Sequence, residues 1–412
     1  VRTLVSLAVL TAAFLAGLFV ERLVVERRLR RLKLRVAVTG TRGKSSVTRL
    51  VAGALREAGY RVLAKTTGSA ARVIFPDGGE AEIPRSGPPS ILENKRLIRL
   101  ARRRRAEALV AEMMSISPEC LGVESGMLLR PEYLLLTNVR LDHRPEEGSS
   151  RDDIAHSLSR AIRPGCTLLV PDSDCFPVFQ GRAAAVGARL IRVPASADTS
   201  EEARGPLGRF EFRENVDLAL ALTGLLGIPR AAALRGMAKA GPDLGRLQAV
   251  QAILGRPPAA WTLVSAFAAN DPDSSRRVLD RVEDLIPQSR GPLRAVLNLR
   301  DDRGDRTRQW LDAVRDGFFA EFESLALVGS WAVPALRRKA RSLAGSRGAP
   351  GRIQVLSEKS PEKITAAVST VQPGGPVPPG GLIVGLGNMG GLGLRLRDYW
   401  DRLGRQVENG RG

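Results

Sequence analysis

The chain has 412 residues, of which 43% are hydrophobic and only 4% aromatic. That apolar share excludes general disorder and is enough for two domains or three, with cores made of Leu, Val, Ile and Ala. The net charge of +20, mostly arginine, favours anionic partners. Aromatic residues do not interleave with the basic runs and no nucleic-acid module is recognisable, so nucleic acid is not expected as a partner.

The first element is an uncharged run, Thr3 to Val20. As a helix it would span about 27 Å, close to the ~30 Å hydrocarbon core of a bilayer. Arg2 precedes it, and the arginine-dense stretch ERLVVERRLRRLKLR follows, which places the rest of the chain on the cytoplasmic side. The segment reads as a single-pass transmembrane anchor. A cleaved signal peptide is the rival reading, disfavoured by a thin basic region and the lack of a clear A-x-A site. The first residue is Val1, which leaves the true start open.

Next comes VAVTGTRGKSSVTRLV, with a strand expected over Leu34–Thr39 and a helix after Lys44. Backbone N–H groups of a glycine turn, backed by a helix N-terminus, make a concave anion site. The nucleotide-binding candidates are Gly40, Thr41, Arg42, Gly43, Lys44, Ser45 and Ser46. Lys44 supplies a point charge for the outer phosphates and the Ser45 hydroxyl a ligand for Mg²⁺. The usual G-x-x-x-x-G-K-[ST] loop has glycine where this chain has Val38, so the loop is a variant. No N-K-x-D-type base-reading motif is found, which favours ATP over GTP.

The helix places Val47, Leu50, Val51, Ala54, Leu55 and Ala58 on one stripe and stops at Gly59. RVIFPDGGEAEIP predicts a hairpin turning at Asp77-Gly78-Gly79. Strands are expected at Ala108–Glu112, Tyr133–Thr137 and Thr167–Val170. Asp152 and Asp153 open a helix with Ile154, Leu158 and Ile162 inward. Glu112 closes one strand, and Asn138, Asp142 and His143 follow another. Carboxylate, imidazole and hydroxyl at strand ends beside a phosphate loop can hold Mg²⁺, so the candidate metal ligands are Ser45, Glu112 and His143. His156 lies off its helix's apolar stripe and reads as a surface residue. Cys120, Cys166 and Cys175 form no C-x-x-C pair and read as small buried hydrophobes.

The pattern restarts after Arg246, with strands at Thr262–Ala266, Arg294–Leu299, Ser324–Val328, Ile353–Leu356 and Leu382–Leu386. GPDLGRL, Gly241 to Leu247, is the candidate hinge, and QPGGPVPPGG, Gln372 to Gly381, is a loop within the second domain. Gly385-x-Gly387-x-x-Gly390 fits a dinucleotide fingerprint, but it sits on the last predicted strand with about twenty residues remaining. A dinucleotide fold needs a further strand ending in an acidic residue, so a glycine turn closing the domain is the better reading. The expected class is α/β. A transmembrane anchor and basic segment (1–30) lead to a P-loop domain with a mostly parallel sheet (31–245), and a smaller α/β domain follows (246–412).

Taken together, TGTRGKSS, AEMMSISPE and TNVRLDH resemble the Mur ligase superfamily of ATP-dependent amide ligases, whose shortened loop matches the departure at Val38. Within it, VTRLVAGALREAGYRVLAKTTGSAARVI, FRENVDLALA and FAANDPDSS are similar to the ligase subunit of capsule-type poly-gamma-glutamate synthases. The resemblance covers about Leu34 to Arg306 and weakens after that. It implies that ATP phosphorylates a carboxylate and that the amine of an incoming glutamate then attacks the acyl phosphate. It further implies that Lys44 bridges the β- and γ-phosphates, Ser45 ligates the first Mg²⁺, and Glu112 and His143 hold metal beside the substrate. Asn215 would read adenine, Arg246 would contact nucleotide at the hinge, and Asn270 and Asp271 would meet ribose and phosphates. Arg300 and Arg306 would bind substrate carboxylate or phosphate, with solvated loop charge as the alternative for both.

The implied partners are glutamate, the growing poly-gamma-glutamate chain and small membrane subunits of a synthase or export complex. Two departures stand out. The family's carbamylated lysine has no counterpart, since no lysine occurs between Lys95 and Lys239; Glu146, Glu147, Asp152 and Asp153 are weak substitutes. The loop also begins about twenty residues after the apolar segment. That leaves no room for the domain that binds a nucleotide-linked sugar, which argues against a peptidoglycan precursor. Two alternatives stay open: a folylpolyglutamate-like ligase and a non-catalytic NTP-dependent assembly factor of an export complex.

Overall fold

The computed structural model describes residues 2–67, 71–85, 87, 89–140, 150–172, 176–195, 212–240, 248–255, 257–285, 291–300, 304–329, 333–344, 348–370 and 381–409. The chain divides into two compact units, Val1–Asp243 and Leu244–Gly412.

The first unit begins with α1 (Arg2–Leu29) and β1 (Leu34–Thr39), then α2 (Lys44–Glu57), β2 (Val62–Thr66) and the hairpin β3 (Arg72–Ile74) and β4 (Glu80–Glu82). It continues through α3 (Glu93–Arg103), β5 (Ala108–Glu112) and α4 (Pro118–Val123), which runs straight into a π-helical turn, Glu124–Leu129. β6 (Tyr133–Leu136), α5 (Arg151–Ser159), β7 (Thr167–Pro171), α6 (Phe176–Val186), β8 (Arg189–Val193), α7 (Arg213–Leu225) and α8 (Arg230–Lys239) complete it. Its eight strands lie in the order β4-β3-β2-β5-β1-β6-β7-β8. All pairings from β2 to β8 are parallel, and the hairpin adds an antiparallel edge. The strands nearest β1 are near-continuous apolar runs because helices cover both faces.

One face packs beneath α2, α7 and α8, where Val36, Val38, Val47, Leu50, Val110, Leu135, Val216 and Leu222 share a core. The other carries Leu63, Leu97, Leu109, Ala111, Leu134, Leu158 and Phe179 beneath α3 and its neighbours. The expected stripe of α2 is buried from Val47 to Leu55, but Ala58 is exposed, because the helix ends at Glu57 and the chain turns through Gly59 at φ +88°. Ala52 and Gly53 are buried as well, since α8 covers a further side of the helix. Cys166 is buried as expected, Cys120 is exposed, contrary to expectation, at the start of a surface helix, and Cys175 lies outside the described residues. His156 is exposed.

The apolar part of α1 is exposed, yet the helix does not stop at its end. It continues to Leu29, where Val25, Leu29 and Leu32 enter the core of the first unit. Arg35 locks this junction, donating to the carbonyls of Leu29 (3.0 Å) and Arg130 (2.9 Å) and pairing with Glu132 at 2.8 Å.

The second unit comprises β9 (Gln248–Leu254), β10 (Ala259–Ser265), α9 (Pro272–Leu285), β11 (Leu293–Asn298), α10 (Gly304–Arg315), β12 (Ser324–Val328), α11 (Val333–Leu343), β13 (Ile353–Val355), α12 (Pro361–Ser369), β14 (Gly381–Gly387) and α13 (Leu392–Asn409). Its strand order is β13-β12-β11-β14-β10-β9, parallel except at the β9 edge. Trp261, Phe267 and Trp400 fill the core on one side, with the Trp400 indole donating to Thr365 Oγ1 at 2.9 Å. The glycine turn after β14 is pinned by Asn298, whose Nδ2 donates to the Asn388 carbonyl at 2.6 Å. Among the described residues no strand follows it, so the setting of a dinucleotide fingerprint is not present. The hinge candidate Gly241–Leu247 lies outside the described residues, as does the predicted loop from Gln372 to its last residue but Gly381.

α2 and α8 cross with their backbones nearly touching. A Cβ on Gly236 would sit 2.7 Å from Glu57 Cβ and 2.8 Å from Ala54 Cα. Such a clash displaces a helix rather than a flexible side chain, and overpacking of this kind costs about 1–3 kcal/mol. Gly236→Val is therefore expected to lower the melting temperature by several degrees, and an unchanged thermal melt would refute this account of the crossing.

Candidate functional site

β1 lies between β5 and β6, all three parallel, with Val38 level with Glu112 and Thr39 level with Leu136. The chain moves to opposite sides of β1 for these neighbours, which is the switch point where open α/β sheets form their ligand crevice. Three segments leave the sheet there: the glycine loop after β1, the end of β5 at Glu112, and Thr137–Arg140 after β6.

The loop has φ +125° at Gly40 and +81° at Gly43, backbone that favours glycine. Sterics demand glycine as well. A Cβ on Gly40 would run into Thr137 Oγ1, and one on Gly43 would sit 2.7 Å from Asn215 Oδ1. Asn215, buried near the start of α7, thus packs directly on the loop. Asn138 clamps the loop from the other side. Its carbonyl accepts from Thr41 N–H at 3.1 Å, its Oδ1 accepts from Arg42 N–H at 3.1 Å, and its Nδ2 donates to the Arg42 carbonyl at 3.0 Å. The Thr41 hydroxyl accepts from Arg140 N–H at 3.1 Å. Asn138, which the sequence places just after a strand and to which it assigns no role, thus holds the loop's shape.

Gly43 caps α2 and has no side chain to offer the first turn. The N–H groups of Lys44, Ser45 and Ser46 open that helix and carry the positive end of its dipole, a site suited to a phosphate. The Lys44 ammonium lies across the loop, donating to the carbonyls of Gly40 (2.6 Å) and Thr41 (3.3 Å). Below it, Ser45 Oγ donates to Glu112 Oε2 at 2.7 Å, and Thr67 N–H donates to the same oxygen at 2.6 Å. Both side chains are buried. A hydroxyl and a carboxylate in contact beneath a phosphate loop form the all-oxygen donor set that Mg²⁺ takes, so the residues present fit that ion. His143, with Asp142, Glu146 and Glu147, lies outside the described residues.

A buried polar network adjoins Glu112 and was not anticipated. Lys65 on β2 is fully buried; its Nζ donates to Asn94 Oδ1 at 3.0 Å and lies 3.9 Å from Glu93 Oε2. Asn94 Nδ2 donates to Glu124 Oε1 at 2.8 Å. Glu124 Oε2 accepts from the Ser115 N–H (3.0 Å) and hydroxyl (2.6 Å), which fixes the loop that follows Glu112. Burial pushes the Lys65 ammonium below its ordinary pKa, against the opposing pull of Glu124, Glu93 and Glu112. The available signal was a lysine inside the apolar strand VLAKT; Asn94 and Glu124 gave none.

The remaining candidates sit in the second unit. Asp271 caps α9, accepting from Ser274 N–H at 2.8 Å, and the Asn270 carbonyl accepts from the Trp310 indole at 3.1 Å. Arg306 is buried, and the Arg300 carbonyl accepts from the Thr307 hydroxyl at 3.0 Å. Arg246 lies outside the described residues. Within the first unit, then, the structure brings together the loop residues, Glu112 and Asn215.

Comparison with known proteins places this geometry. A family model described as the Mur ligase middle domain matches residues 38–216, and one described as the poly-gamma-glutamate synthase CapB C-terminal domain matches residues 254–403. The PGA synthase CapB of Bacillus subtilis (strain 168) is 33% identical over 317 residues, 76% of this chain and 78% of that protein. The capsule biosynthesis protein CapB of Bacillus anthracis is 33% identical over 287 residues, 69% of this chain but only 61% of that relative's length. Among solved structures, E. coli FolC in complex with DHPP and ADP superposes with a TM-score of 0.64 at 17% identity, covering 93% of both chains. MurF from Acinetobacter baumannii gives 0.60 at 17%, covering 91% of this chain and 79% of its own. At these identities the structural likenesses establish the fold.

Two outcomes follow from the site's geometry. Asn138→Ala removes both side-chain bonds to the loop, each worth about 1 kcal/mol, and is expected to weaken Mg-ATP binding about tenfold in calorimetric titration; unchanged affinity would refute the clamp. Lys65 binds its proton less tightly in the fold than in the unfolded chain, whose reference value is 10.5. Between the depressed folded pKa and 10.5 the unfolded state holds more protons, so stability rises with pH across that window. Urea melts of wild type should therefore gain on Lys65→Met as pH climbs towards 10.5, and a pH-independent difference would contradict this.

Proposed function

The chain belongs to the CapB family of poly-gamma-glutamate synthases, built on the Mur ligase fold, and from that premise we propose that it is an ATP-dependent amide ligase that extends poly-gamma-glutamate. The observation that carries this reading is the Ser45–Glu112 contact beneath the first turn of α2, at the one sheet edge where three strand ends meet.

A carboxylate is a poor electrophile: its charge repels an amine and oxide is a bad leaving group. Phosphorylation removes both defects. An oxygen of the acceptor's terminal carboxylate attacks the γ-phosphorus of ATP and ADP leaves. The glutamate amine then attacks the acyl carbon, a proton departs from nitrogen, and inorganic phosphate leaves as the amide forms. The protein's share is positioning and charge neutralisation. The Gly40–Ser46 loop, shaped by Asn138 at Thr41 and Arg42, would cradle the phosphates through the first turn of α2, and Lys44 would exchange its loop carbonyls for the β- and γ-oxygens. Ser45 and Glu112, with His143, would hold Mg²⁺, which when bound would neutralise charge on the transferring phosphoryl group. Asn215 bounds the nucleotide from the α7 side. For Arg246, Asn270 and Asp271 we propose nucleotide contacts, and for Arg300 and Arg306 contacts to substrate carboxylate or phosphate.

We place the enzyme in the membrane through α1, with the catalytic units on the cytoplasmic side, working with small membrane subunits of a synthase complex. The apolar run of α1, fully exposed over an 18-residue window, supports that placement. It also disfavours a soluble folylpolyglutamate-like enzyme, whose fold the solved neighbours share.

The test is an assay of membranes co-expressing the partner subunits with Mg-ATP and glutamate. Glutamate-dependent ADP release with a growing amide polymer is expected. Lys44→Ala and Glu112→Gln should each lower it at least a hundredfold, on the scale of losing one electrostatic contact to a transition state, while the melting curve of Lys44→Ala stays that of wild type. Wild-type turnover indifferent to glutamate would favour the assembly-factor reading, and normal polymer synthesis by Lys44→Ala would sink the ligase.

A further inference from the structure

Outside α1, the large hydrophobic side chains exposed among the described residues of the first unit are Leu92, Val123, Met127 and Leu225. Three of these four share one region. Leu92 caps α3, and Asn94, two residues on, donates to Glu124, which lies between Val123 and Met127 in sequence. Both elements flank the stem of α1: Lys95 Nζ lies 2.8 Å from Glu21 Oε1, and Arg130 Nη1 lies 2.9 Å from Glu26 Oε1.

These ion pairs set two heights along α1, that of Glu21 for the start of α3 and, about 7.5 Å further from the apolar run, that of Glu26 for the end of the π-helical turn, so that Val123 and Met127 lie on the bilayer side of the second. Glu21 directly follows Val20, the end of the uncharged run. If that run fills a hydrocarbon core of ~30 Å, Glu21 and Lys95 stand at the level of the lipid headgroups. Lys33 pairs with Glu107 at 2.6 Å, so α3 runs alongside α1 in the same direction and its N-terminal end is the end towards the bilayer. Leu92 is therefore presented at that level. Arg22, Arg96 and Arg99 are exposed, the two on α3 one turn apart, with Arg96 nearer the bilayer end and Arg99 about one turn further from it.

We propose that this face seats the first unit on the bilayer. Leu92, Val123 and Met127 enter the interfacial zone, while Arg22, Arg96 and Arg99 meet the phosphates of anionic lipid. A scattered exposed leucine needs no explanation, but exposed apolar residues with exposed arginines on the neighbouring turns, at the foot of an apolar helix, match the amphipathic character of a bilayer interface. α1 enters the core at Val25 and Leu29 without a linker, so the seat is a rigid continuation of the anchor. The inference rests on the membrane placement of α1 proposed above.

The experiment uses the full chain with Cys120, Cys166 and Cys175 replaced by serine and one spin label introduced at Leu10→Cys, Leu92→Cys, Met127→Cys or Leu225→Cys. Each is reconstituted in nanodiscs of phosphatidylcholine with phosphatidylglycerol, and power saturation compares access of oxygen and of a water-soluble nickel chelate. The label at 10 should report the hydrocarbon core. Labels at 92 and 127 should show several-fold less nickel access than the label at 225. In the double variant Arg96→Glu/Arg99→Glu, nickel access at 92 should rise towards that at 225. A buried label at 10 with 92 and 127 as accessible as 225 overturns the seat and leaves the anchor standing. A label at 10 as accessible as 225 overturns the anchor itself. No change at 92 in the charge-reversed variant overturns the role given to the arginines.

Discussion

A phosphate loop functions only if its backbone keeps one shape, so that the N–H groups of the helix turn behind it stay turned towards an anion, and here Asn138 does much of that holding. Its Oδ1 accepts from the Arg42 N–H and its Nδ2 donates to the Arg42 carbonyl, so the two successive peptides that flank Arg42 are each held by one bond. The clamp works because β1 and β6 are adjacent parallel strands and the residues just beyond them are forced together. Gly40 leaves no room for a Cβ against Thr137, and Thr137 N–H donates to the Thr39 carbonyl at 2.9 Å. Sheet order thus determines loop shape, and loop shape determines where an anion can sit.

The second constraint lies on β5. Glu112 receives Ser45 from α2 and Thr67 from the end of β2, so one carboxylate ties together three chain segments far apart in sequence. Immediately after it, Ser115 is bound by Glu124, and Glu124 by Asn94. A half-satisfied network of this kind would be worse than an apolar core, whereas a connected one rigidifies its members. α3 works on two sides: Asn94 reaches inward to this network and Lys95 outward to the stem of α1. The same helix turn that steadies the loop after Glu112 therefore also fixes the height of the anchor.

Much of this was legible in the sequence where local pattern and tertiary role coincide. The strand Leu34–Thr39 and the helix from Lys44 have the bounds their apolar runs suggest, and the hairpin turns at Asp77–Gly79 because Gly78 takes φ +90°. The mostly parallel sheet followed from the alternation of strands and helices. Strands β2, β8 and β9 were missed for a common reason. A buried lysine breaks the run in the first, and arginines or glutamines alternate with apolar residues along the other two, both at sheet edges. The Asn138 clamp was also missed, because nothing in the sequence shows that an asparagine after β6 meets the loop after β1. No spacing in the sequence announces Asn94 and Glu124, since their pairing depends on how α3 meets the π-helical turn.

Lys65 bears on the family's missing carbamylated lysine, because a carbamate forms on a neutral amine and this ammonium is held below its usual pKa. Position nonetheless rules it out as the replacement. Side chains alternate along a strand, so Lys65 shares a face with Leu63, in the core beneath α3, while Glu112 shares a face with Val110, in the core beneath α2. The bonds agree: Lys65 reaches Asn94 on α3 and Glu112 reaches Ser45 on α2. The two groups lie on opposite sides of the sheet, and a carbamate on Lys65 would have no path to an ion held by Ser45 and Glu112. Its depressed pKa reflects desolvation within a structural network. A ligand for a second ion must come from the α2 side of the sheet, the side on which the Ser45–Glu112 pair and the first turn of α2 already converge.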